Sequence, residues 1–490
     1  MSFQNQSGDL SPFAEVVPEA ARLSVTKSSI LTQRRRCRVT PQTGPSAGSA
    51  GVNGSGQQIQ FLVADQGGLV DLRSAVVNYT VLAKASSGDF PVFDDGHVFS
   101  TTQVLLNGQL LDNVQNSMKL SNIEMKLGGS KAYYQTAGSF QGFELLNNDL
   151  NADLSVTSNA LGSSYGYVTQ NLASLSARGT RVAAAMFGGI AGETRSVPLG
   201  LISGVGRMKQ YLPISVLGEL SLVFITGTNA EVLFTGGTAV DATYSLSNIS
   251  LEYDVVVPDT RYMSLLQKIS SDGSDSGIHL PFESSIVTSG AAIATSATLT
   301  ENTVIVSRAT NHLLRASVVQ VPTSGIQNFF YPSQSCFNHA GTWSYQMRIG
   351  SQVYPQIAAT GDASMFNTSL LAYGSVMGEN GTCINRALWG NSSDCTTAGT
   401  AKVFETAQIS TGGTAKFYGA DSFIPSYGFQ TVKGDAIPLD VDGVSLAGAS
   451  GSQLIVSLVS APSAAYTPYV SLVALKFIRA QSGAVSVVGA

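Results

Sequence analysis

The chain has 490 residues, which is long enough for two or three domains with full cores, because single cores rarely grow past about 250 residues. Charged residues make up only 12% of it and the formal net charge is −5, which argues against a nucleic-acid-binding protein, since binding phosphates requires clustered Lys and Arg. So small a charged surface suggests that much of the outside is covered in an assembly.

Residues 1–56 are predicted to form a flexible N-terminal arm, because the stretch TPQTGPSAGSAGVNGSG at 40–56 is rich in Gly, Ser and Pro. A short basic run lies within this arm. A run of this length is more typical of a solvated or partner-binding segment than of a protein that reads a genome. Its members are Arg34, Arg35, Arg36 and Arg38.

Residues 57–257 are predicted to form a first β domain. Alternating apolar residues begin at Ile59, and Asn107-Gly108 between two apolar runs predicts a type I′ hairpin. Residues 115–200 alternate more weakly and are predicted to be a long excursion with one or two short helices. About eight strands with irregular loop lengths favour a jelly roll over a meander of even hairpins.

Residues 258–278 are predicted to connect two domains. Pro258 ends a long alternating strand, and Asp259 is placed to cap a helix from about residue 260 to residue 269. Three apolar residues recur at helical spacing, which predicts a short helical connector. These connector residues, expected to be buried, are Met263, Leu266 and Ile269.

Residues 279–480 are predicted to form a second β domain of similar size, followed by a tail at 481–490. The phrases LRSAVV at 72–77 and LRASVV at 314–319 hint at an internal repeat. Residues 355–400 are predicted to be a long functional or partner-facing loop. The strand candidates are 279–287, 303–308, 313–321, 343–354, 402–409, 429–439, 454–459 and 470–479.

No catalytic, cofactor-binding or metal site is predicted. Ser164 fits a G-x-S-x-G pattern but lacks the surrounding βαβ units of a nucleophile elbow. Asp440 and Asp442 precede a glycine as in a Ca²⁺ loop, yet the later Glu of an EF-hand is missing, so cation binding there stays open. For Cys383 and Cys395, both a disulfide and free thiols stay open. Neither a signal peptide nor a transmembrane segment is predicted.

Four stretches carry a resemblance to a known family: VLLNGQLL, YLPISVLGELSLVF, LEYDVVVPDTRY and SYQMRIGSQVYPQ. In their order and spacing they resemble the double jelly-roll major capsid proteins of DNA viruses, particularly those of polinton-like viruses and virophages. The resemblance covers about residues 57–480. It implies an all-β fold of two jelly-roll β-sandwich domains in tandem, with short helices in the loops and the connector.

The resemblance further implies a structural, non-enzymatic capsid protein of the virion, assembled inside the host cell. Homotrimers would form pseudo-hexagonal capsomers and tile an icosahedral shell together with neighbouring capsomers, penton proteins and minor capsid proteins. The arm with its arginines would lie underneath, against these partners or an internal membrane. The segments 128–200 and 355–415 would supply outward towers and inter-subunit clasps. Cofactors and sequence-specific nucleic-acid binding are not implied.

One alternative explains much of the same composition. A secreted or cell-surface β-sandwich protein, such as a surface-layer protein, an adhesin or a polysaccharide-active protein, would also be rich in Gly, Ser, Thr and Asn and low in charge. It predicts an export signal and, for polysaccharide chemistry, clustered catalytic carboxylates.

Overall fold

The computed structural model describes most of the predicted strands. The predictions for residues 1–30, Ser164, the Cys383–Cys395 pair, the Asp440/Asp442 pair and the strand at 402–409 fall outside the described residues. The described residues are 31–44, 52–64, 67–84, 92–94, 96–130, 133, 136–143, 193–234, 242–271, 278–323, 326, 334, 336, 342–373, 382, 384, 389, 423–430, 443–446, 453–462, 465–481 and 484–488.

The described residues are mainly strands. The strands are β1 (Leu31–Val39), β2 (Val52–Asn53), β3 (Gln58–Val63), β4 (Leu69–Lys84), β5 (Val92–Phe93), β6 (Phe99–Leu106), β7 (Gln109–Gln115), β8 (Glu193–Pro198), β9 (Leu220–Thr226), β10 (Leu233–Phe234), β11 (Thr243–Pro258), β12 (Ile278–Ser289), β13 (Thr300–Ser307), β14 (Leu313–Pro322), β15 (Thr342–Ile349), β16 (Gln352–Thr360), β17 (Ser426–Gly428), β18 (Gln453–Ser460), β19 (Tyr466–Gln481) and β20 (Ala484–Val488). The helices are α1 (Ser117–Gly128), α2 (Ala137–Phe140), α3 (Leu199–Ile202), α4 (Ile214–Leu217), α5 (Asn229–Val232), α6 (Thr260–Ser271), α7 (Gly361–Ala372) and a 3₁₀ helix (Gly204–Arg207).

The first β-sandwich is built from β1 to β11. One sheet has the order β1-β11-β4-β8, with β2 also pairing to β11, and the other has the order β3-β9-β6-β7. All these pairs are antiparallel. Alternate residues of each strand point inward, so that Phe61, Val77, Phe224 and Tyr253 meet in one buried core.

The second β-sandwich is built from β12 to β20. Its sheets have the orders β12-β19-β14-β17, with β20 also pairing to β19, and β13-β18-β15-β16. The core between them contains Val318, Tyr345, Met347, Val456 and Leu472. Strands that are neighbours in these sheets are mostly distant in sequence, as the crossing connections of a jelly roll require.

The two sandwiches have the same strand order. In one sheet β1, β11, β4 and β8 correspond to β12, β19, β14 and β17, and in the other β3, β9, β6 and β7 correspond to β13, β18, β15 and β16. The repeated phrases at 72–77 and 314–319 lie in the corresponding strands β4 and β14. A 12-residue helix follows each last edge strand, α1 after β7 and α7 after β16. The internal repeat suggested by the sequence is therefore present in the structure as a repeated strand order.

The predicted hairpin at Asn107-Gly108 is confirmed. Both residues have positive φ, 48° and 76°, and they join β6 to β7. The predicted strand at 343–354 is instead two strands, because Gly350 with φ of 57° turns the chain between β15 and β16. The predicted loop at 355–400 is wrong for its first part, since residues 355–372 complete β16 and form α7.

The boundary predicted at residue 57 is too late. Residues 31–39 do not belong to a free arm, because β1 pairs with β11 from Leu31↔Pro258 to Val39↔Leu251. In the repeat β1 corresponds to β12, the first strand of the second sandwich. Its Cys37 and Val39 pack against the first core, which is why the chain turns into the sheet here despite four arginines.

Candidate functional site at the joint between the sandwiches

The connector helix α6 is docked, although less deeply than the sequence suggests. Asp259 caps it, with the carboxylate accepting a hydrogen bond from the backbone N–H of Arg261 at 3.3 Å. Met263, Leu266 and Ile269 are half-buried and not fully buried as predicted, and the last two pack against the first core. The helix is amphipathic, so that one side lies on the protein and the other faces solvent.

Helix α1 makes a deeper connection between the sandwiches than α6 does. Ten of its twelve residues are buried. Ile123, Met125 and Leu127 belong to the core of the second sandwich, although the helix follows a strand of the first. Half of the residues in SMKLSNIEMKLG are polar, so the sequence alone does not indicate a helix buried on all sides. A helix within residues 115–200 was predicted, but neither its position nor its burial was.

The second sandwich likewise contributes residues to the core of the first. Ile278, Leu280 and Phe282 of β12, together with Ile478 and Ala480 of β19, belong to the core of the first sandwich. Each sandwich thus completes the core of the other, and neither core is closed by its own residues alone. Burial of this kind disfavours any sliding or rotation of one sandwich against the other.

Four charged side chains form a closed ion cluster at this joint. Arg315 Nη2 lies 2.9 Å from Glu124 Oε1 and 3.1 Å from Glu283 Oε2. Arg207 lies 3.0 Å from each of the same two carboxylates, through Nη1 to Glu124 and Nη2 to Glu283. Glu124 and Arg207 come from the first sandwich, Glu283 and Arg315 from the second. The cluster therefore carries no net charge, and two of its four ion pairs join one sandwich to the other.

The cluster favours the charged forms of Glu283 and Arg315. Burial acts to raise the pKa of Glu283, but Arg315 and Arg207 together lower it to about 2. Burial also disfavours the charged guanidinium of Arg315, yet Glu124 and Glu283 raise its pKa well above the usual value. The Arg315 guanidinium also stacks 4.9 Å from the centre of the Tyr373 ring. An arrangement this specific fixes orientation, because a displaced sandwich would leave buried charges unpaired.

A second polar contact lies beside the cluster. The buried carboxylate of Asp112 accepts hydrogen bonds from Ser203 Oγ at 2.6 Å and from Ser284 Oγ at 2.9 Å, one serine from each sandwich. Burial raises the pKa of Asp112, against the effect of these two bonds and of Lys476. Gly204 is required here because a Cβ on it would overlap the carbonyl oxygen of Glu283. The main chains of the two sandwiches therefore touch at this point.

The predicted arginine cluster lies on the first sandwich. Arg34 Nη2 lies 2.6 Å from Asp254 Oδ2, and Arg36 Nη1 lies 3.1 Å from Asp254 Oδ1. Arg38 is paired more loosely, with its Nε 3.9 Å from Glu252. Arg35 is also exposed on β1. These are cross-strand pairs on a solvated sheet, where each contributes little to stability. What the arginines contact in an assembly stays a prediction.

Among the residues that the structure describes, no group of three or more His, Cys, Asp or Glu side chains is placed to hold a metal ion. His97 is buried, and burial together with Arg195 lowers its pKa to about 3, so that it is neutral at ordinary pH. In the described part of the chain, no helix combines the length and the apolar character needed to cross a membrane.

No protein-family model and no curated protein matches the sequence. Solved structures of viral capsids do match. The crystal structure of VP54 of PBCV-1, fitted into a cryo-EM reconstruction of the virophage Sputnik, is 12% identical, with a TM-score of 0.52 over 94% of this chain and 97% of that chain. The quasi-atomic model of the PBCV-1 virus capsid is 12% identical, with a TM-score of 0.53 over 94% and 97%. The cryo-EM structure of the Sputnik virophage is 12% identical, with a TM-score of 0.52 over 96% and 92%.

The chain has the double jelly-roll fold. The likeness covers both sandwiches and nearly the whole length of each matched chain, so it includes the way in which the two jelly rolls follow one another. At 12% identity it shows the fold, and that fold is the one expected from the sequence resemblance. In this double jelly roll the candidate functional feature is the joint that holds both jelly rolls in one orientation.

Proposed function

We propose that this protein is a structural, non-enzymatic major capsid protein of a DNA virus. It forms homotrimers of pseudo-hexagonal outline that tile an icosahedral shell. The observation that carries the proposal is the pair of topologically equivalent jelly rolls held rigidly in one chain. Three such chains present six similar units around an axis, which suits a tile with six-fold-like contacts.

The surface chemistry supports the same role. A chain with only 12% charged residues and a net charge of −5 is suited to broad, complementary protein contacts and leaves the genome to other components. In the virion its partners are neighbouring copies, penton proteins and minor capsid proteins. The N-terminal segment with Arg34, Arg35, Arg36 and Arg38 contacts those partners or an internal membrane. Assembly takes place inside the host cell.

The test is the mass of the purified protein and its assembly products. Light scattering after size-exclusion chromatography should give three copies of the 51.0 kDa chain, about 153 kDa. Electron microscopy of concentrated trimers, or of the chain expressed with its partner proteins, should show shells or hexagonal sheets. A monomer that persists at high micromolar concentration would contradict the proposal. Binding of that monomer to polysaccharide or to cell surfaces would favour the secreted β-sandwich alternative.

A further inference from the structure

Two Asn-Gly pairs lie in the described part of the chain, and a third, at residues 380–381, lies outside it. In such a pair the backbone nitrogen of the glycine can attack the side-chain carboxamide of the asparagine, because glycine has no Cβ to obstruct the approach. The attack requires a glycine N–H that no hydrogen bond holds and that water reaches. The two described pairs, Asn53-Gly54 and Asn107-Gly108, differ in both respects.

The pair Asn53-Gly54 is protected. Gly54 is buried, and its N–H donates a hydrogen bond to the carbonyl oxygen of Tyr244 at 2.8 Å. The Tyr244 ring lies so close that a Cβ on Gly54 would overlap it. The carboxamide oxygen of Asn53 accepts a hydrogen bond from the N–H of Ser55 at 3.2 Å. A reaction at this pair would first have to break these contacts.

The pair Asn107-Gly108 is open. Both residues are exposed at the tip of the β6–β7 hairpin. Within the described ranges of the chain, no group accepts a hydrogen bond from the N–H of Gly108. A Cβ placed on Gly108 would meet no atom within 4 Å, so the space around this nitrogen is filled by solvent. The turn that joins the two strands therefore leaves its Asn-Gly pair accessible.

We propose that Asn107 is a site of spontaneous covalent modification, in which the nitrogen of Gly108 bonds to Cγ of Asn107 and ammonia leaves. The bond between Cγ and Nδ2 breaks, and the proton of the glycine N–H leaves with the ammonia. Water then opens the resulting succinimide ring to aspartate or isoaspartate. Water is the co-reactant, and the reaction needs neither an enzyme nor an oxidant.

The surroundings of the turn give the modification a structural consequence. The N–H of Asn107 donates to the carbonyl oxygen of Glu219 at 2.8 Å, and a Cβ on Gly218 would lie 2.9 Å from Cβ of Asn107. Isoaspartate lengthens the main chain by a methylene group, which this contact and a two-residue turn with positive φ at both positions do not accommodate. Strand β7 follows the turn and carries Asp112, whose carboxylate binds a serine from each sandwich at the joint. The modification therefore loosens the start of a strand that holds the joint.

The test is peptide mapping by mass spectrometry after prolonged incubation of the full chain at mildly alkaline pH, with isoaspartate detected by labelling with an isoaspartyl methyltransferase. The amount of product at Asn107 should exceed that at Asn53 at least about tenfold, because the second pair must first lose a buried hydrogen bond. The matched control is Asn107→Gly, which lacks the carboxamide and still permits positive φ at both turn positions.

Thermal unfolding of fresh and incubated samples measures the consequence. The incubated parent protein should melt at a lower temperature than the fresh one, whereas incubated and fresh Asn107→Gly should melt together. Equal amounts of product at Asn53 and Asn107, or an incubated parent that melts like the fresh protein, would overturn the inference. Neither measurement depends on whether the chain forms a shell, so the proposed function is tested separately.

Discussion

Replacement of Arg315 by methionine tests the joint most directly. This side chain is almost completely buried and pairs both with Glu124 of the first jelly roll and with Glu283 of its own jelly roll. Methionine keeps much of the volume of the arginine side chain, but it leaves the two buried carboxylates with Arg207 as their remaining partner in the cluster. Removing one member of a buried ion pair costs about 3–5 kcal/mol, mainly because the opposite charge stays buried. We expect a loss of this size in the free energy of unfolding.

The repeat supplies a matched control. Arg73 holds the corresponding place in the phrase LRSAVV on β4, but it is exposed. Arg73→Met should change the free energy of unfolding by no more than about 0.5 kcal/mol, as is usual for surface substitutions. The difference in the free energy of unfolding between the two variants therefore reports the contribution of Arg315 to the joint, and not a general effect of losing an arginine.

Urea unfolding followed by tryptophan fluorescence is a suitable assay, because Trp343 and Trp389 both belong to the second jelly roll. Far-ultraviolet circular dichroism reports both jelly rolls at once. In the parent protein the two signals should change together, since each unit completes the core of the other. In Arg315→Met the fluorescence midpoint should fall and the two signals should separate. Equal midpoints for Arg315→Met and Arg73→Met, at one protein concentration, would refute the role of the cluster.

Four further outcomes are expected. Folding lowers the pKa of Glu283 from 4.5 to about 2, so its contribution to stability is complete above about pH 4.5 and is lost as the pH falls towards 2. The change amounts to about 3 kcal/mol in the free energy of unfolding. Measuring the unfolding midpoint over this acid range should reveal it. Gly204→Ala should lower the melting temperature and the trimer yield, whereas a fully folded variant would show that the main chains can separate. Deletion of residues 1–30 should leave trimers intact and block higher assembly, while loss of trimers would show that this segment holds them together. Leu266→Asp should destabilise the trimer more than substitutions within residues 272–277. If all these substitutions are tolerated equally, α6 does not stabilise the joint.

The sequence predicted the architecture well because strands with one buried face show regular alternation. The long strands β11 and β19 and the Asn107-Gly108 hairpin follow directly from that periodicity and from turn chemistry. The double jelly roll was expected from the family resemblance that four such stretches carry. Strand β1 was missed because four arginines among seven residues read as solvated, although Asp254 and Glu252 on the neighbouring strand pair with three of them.

The joint was only half predictable. A connector was expected at 258–278, and α6 lies there, but the deeper contacts come from residues far apart in sequence. Nothing near Glu124 in the chain indicates that its partner is Arg315, because charge pairing over such a distance is decided by tertiary packing. The same holds for Gly204, one of 50 glycines, whose role depends on a main chain from the other jelly roll.

The mutual completion of the two cores also sets an order of events during synthesis. The first jelly roll has all its own strands once residue 258 has left the ribosome, yet its core still lacks Ile278, Leu280 and Phe282 of β12 and then Ile478 and Ala480 of β19. The orientation of the two units can therefore be fixed only after β19 has been made. Chains that stop before β19 lack these contacts, so the fold itself denies them a defined orientation of the two jelly rolls.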